Sequence, residues 1–326
     1  TSPSSASNWT GCTVNNDNFT IVHKRQGFPC GRYKLDFLYY DDDTVITIKD
    51  AEGVIWTNTF TGFYNGGAGL SQAINGTNTF ALNENATIEI RTTDIGGGPS
   101  KLGIIFTATT NAVFANGNWV NGVNPSYTDI NVQDHLNLPT DLTVCSCTVT
   151  SGNTLTVPAD KTLIVIGNAT AQGTGKFIIE NNGSFVQVND NSIYSGEPAS
   201  FIAKRDTQPV YRFDVTYWSS PVENFVLKHL SPVTLFDKFF SFDSNTQAWV
   251  VHKSNLSPNL LEVMTPGKGY NVRAPQNFSI QGTTGAQPQI HTAQFVGKPN
   301  NGVKQITVAN GAPNKYNLIG NPYPSA

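Results

Sequence analysis

The stretch DLTVCSCTVTSGNTLTVPADKTLIVIGNATAQGTGKFIIENNGSFVQV, residues 141–188, decides the fold of this chain. Short runs within it alternate apolar and polar residues and end at Gly, Asn or Pro, which is the pattern of short β-strands. The apolar clusters recur at uneven intervals, near Val144, Val149, Leu155, Leu163, Phe177 and Phe185. Each strand alone buries little surface, so we expect the strands to stack into a short parallel β-helix over residues 128–197. An antiparallel meander of hairpins is the alternative.

Runs of the same kind occur on both sides of this stretch, for example TVITIKD at 44–50, LGIIFTA at 102–108 and GYNVRA at 269–274. Helical spacing of apolar residues is almost absent, and turns rich in Gly, Asn and Pro separate the runs. We therefore predict an all-β protein. Its predicted parts are a jelly-roll-like N-terminal β-sandwich at 1–112, a linker at 113–127, the β-helix, and a second β-sandwich at 198–326.

Charged residues make up only 13% of the chain, and the net charge is -3. A typical soluble domain carries about 25% charged residues; here Thr, Asn, Ser and Gly take their place, as in many extracellular β proteins. Because no basic stripe is present to release counterions, we expect no nucleic-acid partner.

No run of 18 apolar residues occurs, so no membrane span is predicted. The first residues, TSPSSASNW, lack a basic and then apolar leader, and we expect any secretion signal to have been removed.

The chain contains the cysteines Cys12, Cys30, Cys145 and Cys147. Cys12 and Cys30 flank a loop-rich region, which favours a disulfide worth about 3 kcal/mol through loop closure in an oxidising compartment. Two buried free thiols are the alternative. Cys145 and Cys147 alternate within one predicted strand, where a bridge across a single residue is strained and two packed thiols are the other arrangement. No further Cys or His stands at metal-ligand spacing.

The most charged cluster is YYDDDTVITI, residues 39–48. Asp41, Asp42 and Asp43 precede a strand, and their oxygens are ligands of the type that calcium prefers. Adjacent side chains do not readily converge on one ion, and the EF-hand spacing is absent. Calcium is therefore the only candidate cofactor, and solvated turn carboxylates are the alternative.

Three aromatic residues in the first predicted domain are candidates for stacking on sugar rings: Trp9, Trp56 and Tyr64. Their neighbours include Asn and Asp side chains, which supply hydrogen-bonding groups for hydroxyls. The alternative is that these rings form the core of the sandwich.

No catalytic constellation is evident, and we predict no enzyme activity. A G-x-S-x-G elbow is absent, and Ser219 and Ser220 are interpreted as turn residues before a proline. The histidines stand singly in the sequence: His23, His135, His229, His252 and His291. The acids of the predicted β-helix are widely spaced and do not predict the carboxylate pair of a glycosidase: Asp160, Glu180, Asp190 and Glu197.

Several long motifs from residue 130 onward resemble a known family. They are SGNTLTVPADKTLIVIG at 151–167, DVTYWSSPV at 214–222, HLSPVTLFDKFFSFD at 229–243, MTPGKGYNVRAP at 264–275, FVGKPNNG at 295–302 and NLIGNPYPSA at 317–326. In this order they are similar to segments of large secreted cell-surface proteins of Bacteroidota that leave the cell by the type IX secretion system. In such proteins the chain continues past GNPYPSA, so the resemblance implies further strands beyond Ala326.

The resemblance implies a secreted or outer-surface location and a role as an adhesin or a gliding-associated protein. The expected partners are glycans, cell surfaces and the type IX export machinery. Asp43–Thr44–Val45 resembles the short acceptor pattern for O-glycans in these bacteria, which makes Thr44 a candidate glycosylation site. A part of a secreted polysaccharide-degrading enzyme, and a subunit bound to an outer-membrane assembly, are the alternatives.

Overall fold

The computed structural model describes residues 18–67, 70–76, 78–96, 100–252, 262–309 and 315–325. The chain divides into two compact units. The N-terminal unit comprises residues 1–111 and 123–129, and the C-terminal unit comprises residues 112–122 and 130–326. The fold is all-β, as predicted, with a short parallel coil in the second unit.

The N-terminal unit is built from two sheets. Its strands in chain order are β1 (Thr20–Gln26), β2 (Gly31–Asp41), β3 (Asp43–Lys49), β4 (Ile55–Phe60), β5 (Phe63–Asn65), β6 (Gln72–Ala73), β7 (Phe80–Leu82), β8 (Thr87–Thr93) and β9 (Lys101–Ala108). One sheet has the antiparallel order β1-β8-β3-β4. The other is centred on β2, which pairs with β9 along one edge and with β5, β6 and β7 along the opposite edge.

The core of this unit follows from alternation along the strands. Ile46 and Ile48 of β3 are fully buried between more exposed neighbours, and Leu35 and Phe37 of β2 are fully buried on either side of the buried Asp36. Their apolar side chains form one cluster with residues of β7 and β8. Burial of each such side chain stabilises the unit by about 1.5–3 kcal/mol.

The C-terminal unit begins with a parallel coil. Its strands are β10 (Ala112–Ala115), β11 (Asn118–Trp119), β12 (Asp129–Val132), β13 (Leu136–Asn137), β14 (Leu142–Val144), β15 (Ser146–Val149), β16 (Thr154–Val157), β17 (Thr162–Val165), β18 (Ala169–Ala171), β19 (Lys176–Ile179), β20 (Ser184–Gln187), β21 (Tyr194–Ser195) and β22 (Phe201–Asp206). The chain visits three sheets in turn, with the orders β10-β12-β15-β18-β21, β13-β16-β19-β22 and β14-β17-β20. The ladders between successive turns are parallel. The predicted parallel β-helix is therefore confirmed, and the hairpin alternative is not observed.

Equivalent side chains stack in columns through the interior of the coil. One column pairs Leu136 with Leu155, then Leu155 with Phe177, and Phe177 with Phe201. All four are buried. Toward the last turns the rings pack edge to face, with centroids 5.2 Å apart for Phe185 and Phe201. These contacts supply the continuous core that a single turn lacks.

The predicted boundaries of the coil differ from the structure at both ends. Residues 113–119, within the predicted linker at 113–127, contribute to β10 and β11 and extend the first sheet of the coil. The rings of Phe114 and Trp119 meet edge to face at 5.4 Å, which explains why this Asn- and Gly-rich stretch is ordered. At the other end, β22 extends the coil to Asp206, beyond the predicted end at residue 197.

The cysteines occupy different environments. Cys30 and Cys145 are each disulfide-bonded, and Cys147 is a buried free thiol. Cys12, the predicted partner of Cys30, lies outside the described residues. Cys145 and Cys147 are thus neither bridged to each other nor both free. Burial raises the pKa of the Cys147 thiol, because the thiolate would lose its hydration.

The strands after the coil are β23 (Val215–Trp218), β24 (Phe239–Asp243), β25 (Ala248–Val251), β26 (Tyr270–Arg273) and β27 (Thr292–Val296). The first four form an antiparallel sheet with the order β23-β26-β24-β25, and β27 pairs with β22 at the end of the coil. Short 3-10 helices lie at Pro198–Ser200, Leu227–Leu230 and Phe236–Lys238. Across the ranges that the structure describes, no helix is both long enough and apolar enough to traverse a membrane.

Two of the motifs that carry the family resemblance, at 295–302 and 317–326, contact each other in the structure. The buried side chain of Asn300 donates hydrogen bonds to the Ser220 carbonyl at 3.0 Å and to the Pro322 carbonyl at 2.8 Å. The Phe185 amide of β20 donates to the Pro324 carbonyl at 3.0 Å. These hydrogen bonds hold the extended segment 318–325 against the edge of the coil.

Candidate functional site

The candidate site is an exposed surface on the sheet that contains β2, and we call it the aromatic platform. Five side chains from three neighbouring strands define it: Tyr39, Asp41, Phe63, Asn65 and Lys101. Tyr39 of β2 lies opposite Asn65 of β5, and Asp41 lies opposite Phe63. On the other edge of β2, Asp41 lies opposite Lys101 of β9. Directly opposed residues share a face of the sheet, so these side chains form one surface.

A β-bulge in β2 directs two of these side chains outward. The register between β2 and β9 shifts between Phe37 and Tyr39. As a result both Phe37 and Tyr40 face the core, where their ring centroids are 5.1 Å apart. Tyr39 and Asp41 then face away from the core together. Re-aiming of side chains is a usual consequence of a bulge.

Two glycines make room for tyrosine rings at this surface. A Cβ atom on Gly103 would lie 2.7 Å from Cζ of Tyr39, and a Cβ atom on Gly66 would lie 2.6 Å from the hydroxyl of Tyr64. Each ring therefore lies against backbone that carries no side chain. The absence of Cβ at these positions lets the rings approach closely.

Two aromatic side chains of the platform are exposed to solvent. Phe63 is 75% exposed and Tyr39 is 39% exposed. Together with Tyr40 and Tyr64, the platform residues line a depression of about 570 Å³. Exposed apolar side chains that lie together and are bordered by polar groups are typical of interaction sites.

The carboxyl group of Asp41 lies in a mixed environment. Burial raises its pKa, a hydrogen bond and the charge of Asp42 raise it further, and the charge of Lys101 lowers it. Burial is also the main cause that raises the pKa of the neighbouring Tyr40 phenol. The platform thus combines aromatic faces with a carboxylate, an amide and an ammonium group, which together can contact the C–H face and the hydroxyls of a sugar.

The aromatic residues predicted to stack on sugars are distributed differently. Trp56 is half-buried and packs against Phe80 of the core cluster, with ring centroids 5.3 Å apart, so its ring is engaged as the core alternative predicts. Tyr64 lines the depression beside the platform, but its ring stacks on Tyr40 at 6.0 Å. Trp9 lies outside the described residues.

The predicted calcium ligands are engaged separately. Asp42 accepts a hydrogen bond from the Ile95 amide at 2.8 Å, and Asp43 accepts one from the Gly62 amide at 2.7 Å. Asp41 belongs to the platform. In the part of the chain that the structure describes, no group of three or more His, Cys, Asp or Glu side chains is placed to hold a metal ion. The carboxylates of Asp42 and Asp43 therefore stabilise loops through hydrogen bonds to backbone amides.

Thr44, the predicted O-glycosylation site, is fully buried at 0% exposure. Its hydroxyl lies 3.3 Å from the Thr92 hydroxyl on the neighbouring strand β8. A glycosyltransferase cannot reach this side chain in the folded protein, so the prediction was wrong for the folded state.

One imidazole–carboxylate pair was missed by the sequence analysis. His252 Nδ1 contacts Glu262 Oε2, although the two residues are not neighbours in the sequence. Burial lowers the pKa of His252, and the charge of Glu262 opposes that shift.

The acids of the coil do not lie together, because they occupy three different corners between its sheets. Asp160 and Glu180 lie between the second and third sheets, Asp190 between the third and first, and Glu197 between the first and second. Glu180 forms an ion pair with Lys204 at 2.8 Å.

The fold and the platform define an all-β protein in which a sandwich carries an exposed aromatic surface and a separate unit contains a short parallel coil. Residues 105–326 match the model of a family described as a domain of unknown function, DUF8693, and the chain belongs to that family. No curated protein and no solved structure matches the chain. The matched residues include the coil and the sheets that follow it, while Tyr39, Phe63 and Lys101 precede them.

Proposed function

We propose that this protein is a non-enzymatic, modular adhesion protein of the cell surface or the secreted fraction, and that it contacts glycans through the aromatic platform. The observation that carries the proposal is the exposure of Phe63 and Tyr39 on one face with Asp41, Asn65 and Lys101 beside them. Exposed rings bordered by donors and acceptors suit the two chemically different faces of a sugar.

The shape of the platform favours a polysaccharide over a single sugar. Its residues extend across three adjacent strands, which are about 4.8 Å apart in a sheet. The surface therefore spans roughly 10 Å, which exceeds one sugar ring and suits a chain lying across the strands. Lys101 and Asp41 carry opposite charges, so the surface is suited to neutral glycans.

Export by the type IX system and a role in gliding or adhesion belong to the same proposal. They are supported by the resemblance of the motifs at 214–222, 229–243, 264–275 and 295–302 to secreted proteins of Bacteroidota. The scarcity of charged groups, 13% of the chain, supports an extracellular location.

The proposal is tested by electrophoresis of the purified protein in gels that contain xylan, galactomannan, laminarin or alginate. Retardation by at least one neutral polysaccharide is expected. The variant Phe63→Ala should lose the retardation, and Phe213→Ala, which removes an exposed ring of the C-terminal unit, should keep it. Failure of every polysaccharide to retard the protein, or release of new reducing ends from any of them, would overturn the proposal.

A further inference from the structure

The last strand of the antiparallel sheet in the C-terminal unit has an open edge. Among the described residues, β25 (Ala248–Val251) pairs with β24 alone. The open edge of a strand presents backbone N–H and C=O groups that can pair with another chain. The sheet β23-β26-β24-β25 therefore ends in a strand that can accept a further strand.

The side chains of β25 lack the features that usually protect such an edge. The stretch SNTQAWVVH, residues 244–252, contains no Lys, Arg, Asp, Glu or Pro. The two edge strands of the first sheet in the N-terminal unit differ from it, because β1 carries Lys24 and Arg25 and the middle of β4 is the polar sequence TNT at 57–59. Charged and polar edges disfavour pairing between chains, whereas an apolar edge favours it.

Both faces of β25 are in contact with solvent. Trp249, Val250 and Val251 are 48%, 42% and 37% exposed, although successive residues of a strand point to opposite faces of the sheet. The strand thus extends beyond the core. Covering these side chains with another strand would remove apolar surface from water, which is favourable.

The edge is preformed, and its own tryptophan does not cover it. Asp243 accepts a hydrogen bond from the Asn245 amide at 2.9 Å, which stabilises the turn between β24 and β25. The Trp249 ring packs edge to face on Phe242 of β24, with centroids 5.4 Å apart, and its centroid lies 6.4 Å from that of Tyr217 on β23. The ring therefore leans over its own sheet, away from the open edge. Little conformational freedom is lost when a second strand pairs there.

We propose that two copies of this protein associate through antiparallel pairing of their β25 strands. Two identical antiparallel edges are related by a two-fold axis perpendicular to the sheet, so the same edge serves both copies. This axis keeps every side chain on its own face, which excludes each register that would pair an outward-facing residue with an inward-facing one.

The register that fits best is centred on Val250. Val250 then lies opposite Val250 of the second copy, and Trp249 lies opposite Val251 of the second copy. Pairs of an aromatic and a β-branched side chain stabilise a sheet. A register centred on Trp249 would instead place two tryptophans opposite each other, although their rings lean away from the edge.

The association is expected to be weak and reversible. Three partly exposed side chains in each copy cover much less than the roughly 1,200–2,000 Å² of surface that stable complexes bury. The consequence is a dimer that forms at micromolar concentration and dissociates on dilution.

Sedimentation equilibrium of the full chain tests the proposal. The unaltered protein should pass from monomer to dimer as its concentration rises through the micromolar range. Val250→Lys places two ammonium groups opposite each other at the axis and should weaken the dimer at least tenfold. The unfolding midpoint of the dilute monomer should change little, because Val250 is partly exposed.

Val215→Lys is the matched control. It places the same charge on an exposed valine of β23, the opposite edge strand of the sheet, and this variant should dimerise as the unaltered protein does. A protein that stays monomeric throughout the micromolar range would overturn the proposal and leave the edge to a strand of a different protein. Loss of the dimer in Val215→Lys but not in Val250→Lys would overturn it as well.

Cysteine cross-linking tests the register. Val250→Cys should form a disulfide-linked dimer under mild oxidation, because Cα atoms directly opposite each other in an antiparallel pair are about 4.5–5.5 Å apart, a distance that a disulfide spans. In Val251→Cys the new thiol lies opposite Trp249 and should cross-link far less. The unaltered protein controls for the native cysteines. Preferential cross-linking of Val251→Cys would contradict the proposed pairing.

Discussion

The ring of Tyr39 covers the backbone of Gly103 on the neighbouring strand. Cζ, Cε1 and Cε2 of Tyr39 lie 2.7, 2.9 and 3.0 Å from the position that a Cβ atom of residue 103 would occupy. The two residues are direct partners in the pairing of β2 with β9. The orientation of the exposed tyrosine therefore depends on the missing side chain opposite it.

Gly103→Ala is expected to displace the Tyr39 ring and to weaken polysaccharide binding about fivefold, or about 1 kcal/mol, since one of two exposed rings leaves its position. The stability should change little, because the end of a flexible side chain moves. Retardation in polysaccharide gels and the unfolding midpoint are the measurements. Gly96→Ala is the control, as nothing lies within 4 Å of its Cβ position. An unchanged affinity of Gly103→Ala would show that the ring orientation is irrelevant.

Trp56→Ala is expected to destabilise the N-terminal unit by about 3 kcal/mol, because the ring packs against Phe80 in the core. Trp249→Ala should cost about 1 kcal/mol or less, since that ring is 48% exposed. Urea unfolding followed by circular dichroism measures both. Full stability of Trp56→Ala together with lost glycan binding would restore Trp56 as a sugar-stacking residue.

The Cys147 thiol is expected to resist iodoacetamide in the native protein and to react after unfolding. Burial excludes the reagent and raises the thiol pKa, so little nucleophilic thiolate forms. Tandem mass spectrometry of the peptide that contains both Cys145 and Cys147 locates the label. Labelling of Cys145 without reduction would contradict its disulfide state.

Stability is expected to rise with pH up to about pH 6.5, the ordinary pKa of histidine. Burial lowers the pKa of His252, so between its folded and unfolded pKa values the unfolded chain binds more protons. Acidification through that window therefore favours unfolding. Glu262 opposes the effect and Lys268 adds to it.

The variant His252→Gln should flatten the stability profile between about pH 5 and 7, where carboxylates of ordinary pKa contribute little because they titrate near pH 4. Thermal unfolding at several pH values provides the measurement. A profile that keeps its slope in the variant would assign the pH dependence to other groups.

The parallel coil could be predicted because the pattern that specifies each of its strands lies within a few consecutive residues. Each turn repeats an alternating apolar run closed by Gly, Asn or Pro, as around Leu155 and Leu163, and parallel stacking is how such short runs share a core. The start of the coil was not predictable in the same way. Residues 113–119 read as a connector, and only pairing with β12 and the packing of Phe114 against Trp119 show that they belong to strands.

The platform was only partly predictable. Two adjacent tyrosines in a strand, Tyr39 and Tyr40, must face opposite sides, so one exposed ring was foreseeable. The bulge that also turns Asp41 outward has no signal in the sequence, and the approach of Phe63 depends on pairing between β2 and β5. Thr44 was misassigned for a related reason: a short motif does not reveal which face of a strand is buried.

The most direct test is a calorimetric titration of the polysaccharide that retards the protein most strongly, performed on the unaltered protein and on Tyr39→Ala/Phe63→Ala. We predict that the double variant binds at least tenfold more weakly, which corresponds to about 1.4 kcal/mol or more, and that its unfolding midpoint is unchanged. Equal affinity for the two proteins would contradict the assignment of glycan binding to the aromatic platform.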